Sequence, residues 1–310
     1  MTGMETAILE FLAAAVRIAT PLLFAALGGI LSERAGVFAV GLEGMMLTGA
    51  FAGVVASHLT ASSSAGVLAS ALGGAALALV VAVATVRFGS DQMVTGLAVN
   101  ILALGLTSFL LRGLAGSGEA AILRVPVLAP VAVPGLADLP GLGSVLFLQP
   151  PLTYTALVLA LMVGAFLLRT RAGLTLRAVG ESPQAAFAVG TDPNGVRAAA
   201  VVACGALAGI GGAVLSLQQV GTFTDAMTNG RGYIALAAII AGRWMPLGTL
   251  LGCLVFGAAD ALQLRVQGLR LPVSSYVIQM TPYAVALGVL AGLGRSARLP
   301  AALGTPFRRE

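Results

Sequence analysis

Glu43, Asn100, Gln218, Gln219 and Asp260 are carboxylates and amides set in otherwise apolar sequence, and their chemistry is hydrogen bonding to a polar solute. Glu43 lies between Gly41 and Gly44. Asn100 sits mid-run in VTGLAVNILALGL, Gln218 and Gln219 are adjacent, and Asp260 shares a helical neighbourhood with Gln263. An ionisable group at membrane depth costs on the order of 3 kcal/mol by insertion scales, so it normally faces the protein interior and has a partner or a function. As a set, these side chains suit a polar route through a helical bundle. Each also has a plainer reading: a hydrogen bond that locks two helices together or, for Glu43, the cap of a broken helix.

The residues that are missing narrow the chemistry further. No lysine occurs in 310 residues. A phosphate-binding P-loop uses one to reach the terminal phosphates, so no such ATP site is encoded, and a lysine Schiff base is equally impossible. The single histidine, His58, falls at the expected outer end of a helix beside Thr60 and Ser62 and reads as an interfacial polar residue. A His-Cys zinc cluster or a Ser-His-Asp triad needs more convergent partners than this sequence supplies. Cys204 and Cys253 sit inside apolar runs and read as packing residues rather than a disulfide or metal pair. The expectation is no catalytic residue, no metal site and no cofactor on this chain. A membrane enzyme working through carboxylates alone stays open, though no acidic motif suggests it.

The elements that must position the polar set follow from composition. The chain is 58% hydrophobic and 9% charged, with mean hydropathy +0.99, whereas a soluble domain carries about 25% charged residues. Lipid must therefore be its solvent. Stretches such as Gly73–Val86 and Ala156–Leu168 carry no charge, and the 41 glycines suit transmembrane helices packed through small residues. The expected fold is all-α: a polytopic transmembrane helical bundle of about eight to ten membrane segments, a single transmembrane domain over 1–310. Candidate crossings are 7–31, 37–58, 63–86, 91–111, 152–169, 197–219, 232–243, 247–264 and 273–294. The 232–243 segment is short for a full span, and Gly41-Leu42-Glu43-Gly44 can break the second helix, so either may be read as a half-helix. The first charges are Glu5 and Glu10 rather than the basic region of a cleaved signal, so the first helix is expected to be retained.

The net charge of +5 fits arginine left on the cytoplasmic side during insertion. Arginines cluster in 169–197 and at Arg295, Arg298, Arg308 and Arg309, which assigns both regions to the cytoplasm. Counting crossings then puts Arg87, Ser32-Glu33-Arg34 and the Arg243-Trp244 turn inside, and the acidic N-terminus outside. The proline-rich segment 112–151 falls outside, as a cap for a second protein or a simple linker. Within 169–197, Ser182-Pro183 reads as an N-cap followed by proline at the first helical position, Gly190 as the stop, and Asp192-Pro193 as the next start. A separately capped helix in a membrane protein's loop is one offered to a partner.

The run SERAGVFAVGLEGMMLTGAFAG at 32–53 resembles the opening signature of an ABC-importer permease family, the inner-membrane component serving branched-chain amino acids, ribose and related sugars, and nucleosides. Three more stretches fit the same pattern in order: DQMVTGLAVNILALGLTSFLLRG at 91–113, LRAVGESPQAAFAVGTDPNGVR at 176–197, and GRGYIALAAIIAGRWMPLGTLLGCLVFGAADALQLR at 230–265. The GLEGMM opening, VPGLADLPGLG and the GRW-P-LG turn look most like nucleoside-type members. Ala39 departs from that pattern, which commonly has asparagine. The resemblance implies that ATP-Mg is bound and hydrolysed on separate ATPase subunits. It also implies an extracytoplasmic binding protein that delivers substrate, and a second permease chain, often a longer homologue, beside this one in the bacterial inner membrane. It makes 182–190 a cytoplasmic coupling helix, with Ser182, Pro183, Gln184, Ala185, Ala186, Phe187 and Gly190 at the ATPase and Arg177, Glu181 and Asp192 as charged rim contacts. Simple sugars or branched-chain amino acids are the alternative cargoes. An ion-coupled secondary transporter is a further alternative, against which the capped loop helix counts.

Overall fold

The computed structural model describes residues 3–115, 123–137, 141–268, 280–293 and 299–307. Helix α1 spans Gly3–Arg34, α2 Leu42–Thr60, α3 Ser63–Ala82 with a π-helical end at Val83–Arg87, and α4 Gln92–Ala115. The proline-rich segment that follows contains a short antiparallel pair, β1 (Val131–Ala132) with β2 (Leu148–Gln149), and between them α5 (Leu142–Leu146). Then come α6 (Pro151–Arg169), α7 (Arg171–Glu181), α8 (Pro183–Ala188), α9 (Pro193–Ala213, π-helical over Val214–Val220), α10 (Arg231–Ala241), α11 (Pro246–Gly268) and α12 (Thr281–Leu293).

Among the described residues, seven helices are long and apolar enough to cross a membrane: Met4–Arg34, Leu42–Thr60, Ser63–Arg87, Gln92–Leu114, Pro151–Arg169, Pro193–Val220 and Pro246–Gly268. The chain is an all-α polytopic bundle, its two-residue strands aside. The segment expected at 232–243 is α10, too short to span. The crossing expected at 273–294 lies partly outside the described residues, and its described part is α12; Arg295, Arg298, Arg308 and Arg309 lie outside them as well.

The centre of the bundle is built from α1, α2, α3 and α9. Lipid gives no hydrophobic drive for helices to associate, so contact depends on close packing, and small residues permit it. A Cβ on Gly205 would collide with Ala78 and the Gly74 backbone, so α3 and α9 touch backbone to backbone. Helices α4, α6 and α11 lie outside this centre and leave most of their surface open.

The arginine-bearing turns gather at one end. Arg34 Nε donates to Trp244 O at 3.1 Å, Arg197 Nε to Ala35 O at 3.1 Å, and Phe38 N to Gln92 Oε1 at 2.8 Å. Residues 123–137 and 141–149 lie at the opposite end, where Gln149 Nε2 donates to Ala13 O (3.4 Å) and Val125 N to Gly221 O (2.9 Å). The second helix, expected from 37, begins at Leu42. Residues 35–41 form a non-helical link whose polar backbone is met by side chains from α1, α4 and α9, as backbone at membrane depth requires.

Candidate functional site

Helices α2 and α10 both begin inside the bundle, and their N-termini meet. Gln92 marks the arginine-rich end of α4. Asn100 lies a little over two turns further along, roughly 12 Å in. There its Oδ1 accepts from Gly44 N (2.8 Å) in the first turn of α2, and its Nδ2 donates to Val40 O (3.0 Å) on the link. Helix α10 approaches this depth from the same end. Its C-terminal end runs into the Arg243–Trp244 turn, and its 11 residues reach inward by about 16 Å.

Glu43 joins the two starts. Its Oε1 accepts from Gly230 N at 2.8 Å and its Oε2 from Gly232 N at 2.6 Å. A carboxylate from α2 thus satisfies the unpaired amides that open α10, at the helix end whose dipole favours negative charge. Glycine is needed at 232, since a Cβ there would lie 2.6 Å from the Glu43 Cα and 2.8 Å from its Oε2. Glu43 is therefore the cap of a broken helix, and the cap comes from a different helix. The hydroxyl of Tyr233 accepts from Asn100 Nδ2 at 3.0 Å, which leaves its own proton for another acceptor.

This network walls a cavity of about 380 Å³, lined by Glu43, Asn100, Asn229 and Tyr233. Its α4 wall includes Leu97 and Ile101, which are 49% and 72% exposed, so the cavity opens on the outer face of α4. Its volume is that of a small-molecule site, and its lining is mostly apolar with a few convergent polar groups.

The other polar residues stand elsewhere. Gln218 and Gln219, on the π-helical end of α9, line a separate cavity of about 570 Å³ with Arg17 and the 127–130 segment. Gln218 Nε2 donates to Thr153 Oγ1 (3.2 Å) and Gln219 Nε2 to Arg17 O (3.1 Å). Asp260 pairs with Arg231 at 3.9 Å and so links α11 to the first residue of α10. The five polar residues thus occupy three places: Glu43 with Asn100, Gln218 with Gln219, and Asp260 apart from both. Sequence reasoning missed Arg231, Tyr233 and Arg17. Its one available signal for the first two was GRGY, a glycine pair carrying a charge and a phenol at a break.

At the arginine-rich end, the expected loop helix is α8. Ser182 Oγ accepts from Ala185 N at 3.3 Å with Pro183 at the first helical position, Gly190 adopts φ +87°, and Asp192 Oδ2 accepts from Gly195 N at 3.2 Å to open α9. Pro183 and Ala186 face inward, while Gln184, Ala185, Phe187 and Val189 are exposed, Val189 at 81%. The charged neighbours are engaged within the protein: Asp192 as that cap, and Glu181 Oε2 accepting from Ala301 N at 3.3 Å. Arg177 is half-buried.

Residues 11–290 match the family described as the branched-chain amino acid transport system / permease component. The chain belongs to that family. It is 35% identical over 300 residues to a guanosine ABC transporter permease of Bacillus subtilis, and 37% identical over 298 residues to a nucleoside ABC transporter permease of Lactococcus lactis. Each alignment covers 93% of both chains. It is also 37% identical over 295 residues to a putative glucose ABC transporter permease of Haloferax volcanii, covering 94% of this chain and 86% of the relative. No solved structure matches it. This chain is a multi-pass membrane permease, a transport component and not an enzyme, and a permease of this family works with an ATPase subunit and a substrate-binding protein.

Proposed function

We propose that this permease imports nucleosides through the cavity between Glu43, Asn100 and Tyr233. The likeness to guanosine and nucleoside permeases over 93% of both chains carries the choice of cargo. The arginine-rich end faces the cytoplasm of a bacterial inner membrane, in keeping with the basic bias of cytoplasmic loops. Residues 112–151 then face the extracytoplasmic binding protein. A second permease chain, a homologue of this one, covers the open α4 side of the cavity. ATP-Mg is bound by the ATPase partner, which grips the exposed surface of α8 within the 169–197 loop.

Weak contact is what a passage needs, because tight binding would delay release. Both Asn100 donors and its oxygen are engaged within the protein, so the solute meets the Tyr233 proton and the remaining lone pairs of Glu43. Ribose hydroxyls complement both groups, and base N–H groups complement the Glu43 oxygens.

Uptake of labelled guanosine by cells carrying the complete transporter tests the proposal. Uptake should require the ATPase and be competed by unlabelled nucleosides. Competition by glucose, ribose or branched-chain amino acids, with none by nucleosides, overturns the assignment of cargo.

A further inference from the structure

Residues 299–307 form a strap across the arginine-rich end. Ala302 N donates to Gly180 O at 2.9 Å and Ala301 N to Glu181 Oε2 at 3.3 Å, so the strap holds the last turn of α7 where α8 begins. The Phe307 ring packs on Phe187 of α8, with centroids 5.6 Å apart. In the other direction, Gly304 N donates to Gly36 O at 3.3 Å, on the link between α1 and α2.

Arg197, near the start of α9, fastens the strap from beneath. It is 2% exposed. Its Nη1 donates to Thr305 O at 2.8 Å, its Nη2 to Ala302 O at 3.4 Å, and its Nε to Ala35 O at 3.1 Å. A guanidinium presents its donors in a rigid planar fork, which suits it to hold carbonyls from two segments in fixed relation. Here the two segments are the strap and the link.

We propose that the strap, fastened by Arg197, carries displacement of α8 to the α1–α2 link and from there to Glu43 at the cavity. This makes Arg197 and Phe307 positioning residues for transport, acting far from the solute. The proposal rests on the reading of 182–190 as the ATPase contact. A push on α8 then has two routes inward, one along α9 and one across the strap. The strap route ends on the non-helical backbone whose Val40 carbonyl is tied to Asn100. Backbone of that kind can shift without unwinding a helix.

Phe307→Ala and Arg197→Gln, each in the complete transporter reconstituted in vesicles, test this. The readouts are ATPase co-purification, ATP turnover, and solute imported per ATP hydrolysed. Phe307→Ala should keep the ATPase bound and turning over while import per ATP falls about fivefold, within the range that mutations between coupled sites produce. Arg197→Gln should do the same or more, and because it also unseats a buried group, Phe307→Ala is the deciding variant. Unchanged import per ATP in Phe307→Ala overturns the proposal, as does a loss of import that only follows loss of the ATPase. Failure of the underlying reading shows separately. With Ser182–Val189 replaced by a Gly/Ser linker, an ATPase that still co-purifies removes α8 as its contact, whatever the strap variants do.

Discussion

Two carboxylates hold the two ends of α10, and they do it in different surroundings. At its C-terminal end, Glu33 accepts from the Trp244 indole and from Ala39 N, both partners are buried, and Arg34 holds the Trp244 carbonyl. At its N-terminal end, Glu43 accepts two backbone amides and also lines the cavity. The first is a closed anchor whose carboxylate and indole are both shut off from solvent. The second satisfies a helix terminus while keeping one face toward a space that can fill and empty. The contrast shows how a short helix can be fixed at one end and responsive at the other.

Removing the anchor should have the larger effect on stability. Trp244→Ala deletes one of the largest fully buried side chains, and truncations of this kind cost about 3–5 kcal/mol. The variant should melt far earlier in detergent, as followed by size-exclusion chromatography on a heating series. A melting point equal to the parent's would show that the closed end is not an anchor.

Glu43→Gln should separate stability from transport. The amide keeps one acceptor for the α10 amides and turns a donor toward the other, a cost of about 1–3 kcal/mol at most. Folded yield should hold, while guanosine uptake per folded molecule drops about tenfold, an effect corresponding to roughly 1.4 kcal/mol. Equal loss of stability in both variants, with transport per folded molecule unchanged in Glu43→Gln, would make the two ends alike.

The smallest effect is expected at Tyr233→Phe, which removes the oxygen that accepts from Asn100. A single hydrogen bond contributes about 0.5–1.5 kcal/mol net. The half-saturating guanosine concentration should rise a few-fold with maximal uptake near the parent's. A fall in maximal uptake alone would instead place Tyr233 in the moving framework.

What was legible in the sequence divides along the same line. The starts of α8 and α9 are written within a few residues each, as Ser182-Pro183 and Asp192-Pro193, because caps and proline act through local backbone. Membrane class followed from composition, since no water-soluble core can bury so apolar a chain. The meeting of Glu43 with Gly230 and Gly232 depends on how two distant half-helices pack, and no periodicity encodes that. Asp260 looked like a companion of Glu43, yet its partner Arg231 faces it across α10 and α11. Arg197 was visible only as one more arginine in a loop, because carbonyl partners leave no pattern of types.

The strap's contacts fall largely on main-chain atoms: the amides of Ala301, Ala302 and Gly304 and the carbonyls of Ala302 and Thr305. Atoms of that kind are common to nearly every amino acid. Most letters in this stretch are therefore free to drift between relatives while the grip stays the same, the exceptions being Phe307, whose ring packs on Phe187, and Gly304, whose φ of +82° few other residues tolerate; beneath it Arg197, whose fork does the gripping, is fixed as well. A survey that ranks positions by residue identity would read most of the strap as filler. Its importance would emerge from changes in its length, because adding or deleting one residue displaces every one of those atoms at once.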